Sequence, residues 1–115
     1  MNQLLVTGSI AYDRIAVFRD RFANHILPEK IHRLNVSFNV EQMTIEFGGT
    51  GGNIAYNLAL LGQLPLLLGA VGGDFELYES CLKKNGVDIR YLKRIPDTLT
   101  AHATIMTDLD DNQIA

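Results

Sequence analysis

The chain has 115 residues, of which 47% are hydrophobic and 20% charged, which predicts one globular domain with a single core. Its formal charge of -3, with lysines and arginines scattered rather than clustered, excludes the basic footprint of a nucleic-acid-binding surface. A single cysteine, Cys81, excludes an internal disulfide framework, and the apolar run Leu4-Leu5-Val6 is too short for a signal core or membrane span, so a reducing, cytoplasmic setting is expected.

Residues 3–7 form a short apolar run closed by Gly8-Ser9, which predicts a buried strand ending in a turn. Looser alternation over 14–19 and over 31–40, where Ile31, Arg33, Val36, Phe38 and Val40 recur, predicts two strands of a partly exposed sheet joined through Pro28. At Gly48-Gly49-Thr50-Gly51-Gly52-Asn53 the pattern changes, and Ile54, Leu58 and Leu61 then recur at helical spacing. A glycine loop therefore feeds a helix over about 53–61, with Gly62 at its left-handed C-terminal cap and Pro65 beyond it. The continuous apolar run 66–71 predicts a strand covered on both faces. A helix over about 75–85, stopped by Gly86, and a strand over 87–92 complete a βαβ grammar. Residues 101–107 and the turn at 108–112 predict a hairpin whose second arm begins at Gln113.

The glycine loop carries the strongest chemical signal. Four glycines in five positions let backbone approach a ligand closely, and amides at the following helix N-terminus would face that ligand. The alternative is a tight turn with close helix–sheet packing. The loop lacks the lysine and hydroxyl residue of a P-loop, and no acidic residue about twenty positions on completes a dinucleotide-binding fingerprint.

Asp13, just past the first strand, is placed either to accept two hydrogen bonds from a vicinal diol or to act as a solvated loop acid. Asn53 is either a ligand contact or a helix N-cap. Asp74 reads as the cap of the 75–85 helix, and Cys81 as a small buried apolar residue. His25, His32 and His102 have surface or turn roles. Asp108, Asp110 and Asp111 read as a solvated turn, because a calcium loop's glycine and terminal glutamate are missing.

Taken in order, Thr7-Gly8-Ser9-Ile10-Ala11-Tyr12-Asp13, Glu46-Phe47-Gly48-Gly49-Thr50-Gly51-Gly52-Asn53-Ile54-Ala55, Leu61-Gly62 and Val71-Gly72-Gly73-Asp74-Phe75 resemble the N-terminal half of the ribokinase-like (PfkB) carbohydrate and nucleoside kinases. His25-Ile26-Leu27-Pro28-Glu29 and Leu34-Asn35-Val36-Ser37-Phe38 look most like the bacterial adenosine kinases of that family. The resemblance implies an α/β fold, the N-terminal part of a doubly wound sheet with a small β-sheet lid. The lid strands would lie at about 14–22 and 31–47 with a pair over 101–115, and substrate would lie between lid and main sheet.

By the same similarity Asp13 holds the sugar hydroxyls, Gly48 and Gly49 form a di-glycine hinge beside the sugar, and Asn53 bonds the ribose. Ser9, Ser37 and Phe38 line the nucleoside side. Ala11 and Thr50 replace the asparagine and lysine of ribokinase itself, which points away from free ribose, and Ala103 stands where a base-stacking aromatic residue is expected. The family's catalytic aspartate, its G-A-G-D anion hole and its ATP pocket belong to a C-terminal half that these residues do not include.

The expected activity of the complete protein is therefore transfer of the ATP γ-phosphate, with Mg²⁺, to a primary hydroxyl of adenosine. A sugar kinase of the same family and a non-catalytic nucleoside- or sugar-binding module are the alternatives. The 115 residues alone are expected to bind acceptor without turnover. The expected partner is a small molecule, not a nucleic acid or membrane, with a homodimer possible through the lid strands.

Overall fold

The computed structural model describes residues 2–115. In chain order its elements are strands β1 (Gln3–Thr7), β2 (Ala11–Val17) and β3 (Gln42–Gly48), helix α1 (Thr50–Leu60), strands β4 (Leu64–Leu68) and β5 (Ala70–Val71), helix α2 (Glu76–Lys84), and strands β6 (Lys93–Arg94), β7 (Ala101–Thr107) and β8 (Gln113–Ile114). The chain divides into two compact units. One takes residues up to Tyr12 together with Phe47–His102, and the other takes Asp13–Glu46 with Ala103–Ala115.

The first unit is α/β. Strands β1 and β4 pair in parallel, with Val6 opposite Leu67, and a parallel bridge from Leu66 to Asp88 adds the chain that returns after α2. Pro65 offers no N–H to this ladder, but its carbonyl accepts from the Asp88 N–H at 3.0 Å. Strands β5 and β6 also pair in parallel, Ala70 with Lys93 and Val71 with Arg94. The predicted run 66–71 is thus two strands separated at Gly69, and the predicted strand 87–92 reduces to the bridge at Asp88 followed by β6.

Both helices end as the glycines predict. Gly62 and Gly86 have φ of 80° and 85°. Gly62 N–H donates to the Ala59 carbonyl and Gln63 N–H to that of Leu58; Gly86 and Val87 repeat the arrangement on Lys83 and Leu82. The core between strands and helices contains Val6, Leu67 and Val71 from the strands, Ala55 from α1, and Tyr78 and Leu82 from α2. Leu67 and Leu82 are fully buried, each worth roughly 2 kcal/mol of hydrophobic stabilisation.

The second unit carries most of a four-stranded sheet in the order β3-β2-β7-β8, in which β7 and β8 form an antiparallel hairpin with Met106 opposite Ile114. Its aromatic cluster is Phe18, Phe22, His25 and Phe38, with Phe18 stacked on Phe22 at 5.7 Å and Phe38 edge-on to both at 5.0 and 5.2 Å.

Residues 31–40 are not a strand. Pro28–Arg33 is two 3-10 turns joined across a kink at Lys30, the first beginning with Pro28, whose missing N–H is no loss at a helix start, and 34–40 have no regular structure. Ile31 and Leu34 are 64% and 56% exposed, so the alternation marks no buried face; the sheet strand of this region is β3, beginning at Gln42. The predicted strand at 14–19 begins three residues earlier and ends two earlier, as β2, and the chain after it turns into a short 3-10 helix at Phe22–Asn24. The 108–112 turn is solvated at Asp110 and Asp111, which are exposed, but not at Asp108. Asp108 is buried, and its carboxylate accepts from the backbone N–H groups of Phe22, Asp110 and Asn112 at 2.9 Å each. That one side chain ties the hairpin turn to the chain after β2.

Candidate functional site

The turn after β1 and the start of α1 are built against each other. A Cβ added at Gly8 would lie 2.9 Å from Gly51 N, and one at Gly51 would lie 2.7 Å from the Gly8 carbonyl. Gly49, at φ 86°, is the N-cap of α1, and a Cβ there would overlap the Ser9 carbonyl. Close backbone packing therefore accounts for these glycines, as the second reading of the loop has it.

The helix begins at Thr50, not at Asn53, because Ser9 caps it from outside. Thr50 N–H donates to Ser9 Oγ at 3.0 Å, while Gly51 and Gly52 N–H donate to the Ser9 carbonyl at 2.9 and 3.2 Å. These first-turn donors, expected to face a ligand, are satisfied within the protein. Asn53 is accordingly no N-cap. It is the fourth helical residue, exposed, with its N–H donating to the Gly49 carbonyl at 2.9 Å.

A buried aromatic group secures the other side of the loop. Tyr78 Oη donates to the Gly48 carbonyl at 2.8 Å, and the Tyr78 ring stacks on Phe47 with centroids 4.6 Å apart. Tyr12 lies 5.9 Å from both rings, and its hydroxyl donates to the Asp74 carbonyl at 2.8 Å. Burial pushes the Tyr12 phenol up, with a hydrogen bond from the Tyr78 backbone acting the other way.

Asp74 does not cap α2, whose N-cap is Phe75 without a side-chain bond. Its carboxylate instead accepts from the Thr100 N–H at 2.6 Å, and the backbone and hydroxyl of Thr100 hold it below the usual carboxylate range. Thr100 Oγ1 accepts from Gly72 N–H at 3.0 Å. The three strand connections that leave the first unit, at Tyr12, at Gly48 and at Thr100, are thus each hydrogen-bonded to the segment 72–78.

Of the residues singled out in the sequence, Ser9, Gly48, Gly49 and Asn53 come together in the first unit. Asp13, third in β2 and half-buried, belongs to the second unit, as do exposed Ser37 and half-buried Phe38 in the irregular stretch before β3. Tyr12, Tyr78 and Thr100 were not singled out. The available signal was Tyr78 and Leu82, four apart on the apolar face of α2, which reads as ordinary core. Cys81 is half-buried rather than buried. A cleft of about 430 Å³ in the first unit is lined elsewhere, by Glu79, Lys83, Asp88, Arg90 and Arg94 among others. Its acids are already paired, Glu79 with Lys83 and Arg94, and Asp88 with Arg90.

Among the described residues there is no group of three or more His, Cys, Asp or Glu that could hold a metal ion. Among them too, no helix is long and apolar enough to cross a membrane.

Comparison with known proteins gives one consistent answer. The chain is 37% identical over 114 residues to a nucleoside kinase of Methanothermobacter thermautotrophicus, covering 97% of this chain and 34% of that protein. The solved nucleoside kinase of Burkholderia thailandensis in complex with inosine is 44% identical, with a TM-score of 0.78 over 98% of this chain and 35% of that one. The ribokinase of Cryptococcus neoformans var. grubii in complex with ADP is 27% identical, with a TM-score of 0.80 over 99% of this chain and 33% of that one. The chain spans about a third of the length of these relatives. Its α/β fold is the N-terminal part of the ribokinase-like fold, and the match to the pfkB family of carbohydrate kinases runs over residues 1–115: the chain belongs to that family.

Proposed function

We propose that these residues bind the phosphoryl acceptor of a nucleoside kinase, with a purine nucleoside, adenosine first, as the substrate of the complete protein. The observation that carries this reading is the joined Gly8–Ser9 and Gly48–Gly52 architecture within a chain 44% identical to a nucleoside kinase solved with inosine. In the reaction ATP supplies the γ-phosphoryl group and Mg²⁺ the charge neutralisation for its transfer; both belong to parts of the protein outside these residues.

The chain's own work is positioning. Asp13 accepts hydrogen bonds from the two vicinal ribose hydroxyls, and Gly48 and Gly49 admit the sugar against bare backbone. Asn53 adds a donor and an acceptor, while Ser37 and Phe38 line the nucleoside side. Ser9 acts there by fixing the glycine loop, since its hydroxyl is engaged with Thr50. A sugar acceptor is the second reading, favoured by the likeness to a ribokinase and opposed by Ala11 and Thr50.

The test is to express the longest natural polypeptide that carries these residues and follow phosphorylation of adenosine, inosine and ribose with Mg-ATP. Asp13→Asn is expected to raise the acceptor KM roughly tenfold or more while leaving the KM for ATP unchanged. An acceptor KM that does not move removes Asp13 from the site, and a protein that phosphorylates none of the three contradicts the reading.

A further inference from the structure

We propose that Tyr78 is a positioning residue for acceptor binding, acting through the direction of the Gly48–Gly49 peptide; this rests on the acceptor-site reading above. Two consecutive glycines have no side chains to fix their conformation, and Gly49 takes φ 86°. Something outside the segment has to orient the peptide between them. The Tyr78 hydroxyl does so by donating to the Gly48 carbonyl at 2.8 Å. There are no cis peptides among the described residues, so the Gly48 C=O and the Gly49 N–H point in opposite directions, and the bond that draws the carbonyl toward Tyr78 turns the Gly49 amide away from it.

The hydroxyl is itself held. Tyr78 is 2% exposed, and its ring lies stacked on Phe47 and within 6 Å of both Tyr12 and Phe75, at 5.9 and 5.6 Å. The start of α1 is shaped around it as well, because a Cβ at Gly52 would overlap the Tyr78 hydroxyl. One phenol thus sets the peptide at the end of β3 and requires the glycine two positions into α1's first turn. A core tyrosine with a convenient hydrogen bond would account for the burial, but not for a hydroxyl that both orients the di-glycine peptide and excludes any side chain at position 52.

The natural polypeptide carrying these residues and its Tyr78→Phe variant are assayed with acceptor varied at saturating Mg-ATP, then with ATP varied at saturating acceptor. The phenylalanine keeps the ring stack and loses the bond. The acceptor KM is expected to rise roughly tenfold, while the KM for ATP stays within about twofold; the Gly48 carbonyl left unpaired lowers the melting temperature by roughly a few degrees. Gly52→Ala, which pushes on the same hydroxyl, is expected to raise the acceptor KM too, and the double variant to be no worse than Gly52→Ala alone.

Fluorinated tyrosines at position 78 give a measurement that does not depend on Tyr78→Phe folding: a stronger O–H donor is expected to lower the acceptor KM. An active parent whose acceptor KM is indifferent to these changes, or whose two KM values rise together as the melting temperature falls, overturns the role of Tyr78 alone. A parent that phosphorylates neither nucleosides nor sugars overturns the acceptor-site reading and the proposal with it.

Discussion

Ser9 and Thr50, 41 positions apart, are joined twice: Ser9 Oγ accepts from the Thr50 N–H at 3.0 Å and lies 3.3 Å from Thr50 Oγ1. The helix cap comes from another element rather than from the preceding residue. Ser9→Ala is expected to cost about 1 kcal/mol, the usual value of a lost N-cap, and to lower the melting temperature measured by circular dichroism. An unchanged transition in Ser9→Ala would show that the cap contributes nothing to stability.

The glycines separate into two kinds, and substitution distinguishes them. A methyl at Gly51 meets Gly8 backbone atoms at 2.7 Å, whereas one at Gly62 meets nothing within 4 Å and is opposed only by its φ of 80°. Gly62→Ala is expected to cost about 1 kcal/mol, and Gly51→Ala about 3 kcal/mol or more because backbone has to move. Chemical denaturation of the two variants checks the ranking; equal costs would mean that the turn after β1 yields easily.

Acid should weaken the second unit. The hydrogen bond from His25, with those from the Arg21 backbone and Asn24, holds Asp20 at about 2. Burial pushes Asp108 up, but the amides of Phe22, Asn112 and Asp110 bring it below its ordinary value. Both folded values are depressed, so the stabilisation is fully present above the ordinary carboxylate range near pH 4 and is lost as pH falls from about 4 toward 2. Melting temperatures taken from pH 7 to pH 2 are expected to fall in that window. Asp108→Asn is expected to melt lower at pH 7 and to lose less on acidification, and a parent profile flat to pH 2 contradicts the assignment.

Local chemistry made much of the fold legible and hid the rest. Gly62 and Gly86 marked helix ends because positive φ is a property of one residue, and the 108–112 turn was visible between two strand patterns. The start of α1 was misplaced because its cap comes from Ser9, and Asp74 was misread because its partner is Thr100, 26 positions away. Alternation over 31–40 resembled a strand, but periodicity does not say whether a neighbouring strand exists. The candidate residues of the glycine loop were visible, whereas Tyr78 resembled any buried helix aromatic.

Strand β3 ends the order β3-β2-β7-β8, and Met43 and Ile45, on one face of it, are each 55% exposed. An apolar edge strand invites pairing with a second copy. A homodimer through this edge is expected by light scattering, and Ile45→Lys is expected to shift it toward monomer; a parent that stays monomeric at high concentration rules it out.

A polypeptide of these 115 residues alone is expected to bind adenosine without consuming ATP. Leu5, Leu61 and Leu77 are 64%, 75% and 74% exposed, so it should also bind a hydrophobic dye and aggregate readily. A sharp, reversible melting transition from a monomer contradicts the second expectation.

The segment from Gly72 to Tyr78 is hydrogen-bonded to Tyr12, Gly48 and Thr100, each within two residues of a point where the chain crosses the limits of the first unit. Mechanically it is a common mooring for three lines. Loosening one line elsewhere leaves two intact, whereas a shift of the backbone of these seven residues slackens all of them together. Random mutagenesis should therefore find its most damaging substitutions outside the glycine loop to be concentrated in this stretch, although none of its side chains was read from the sequence as touching substrate.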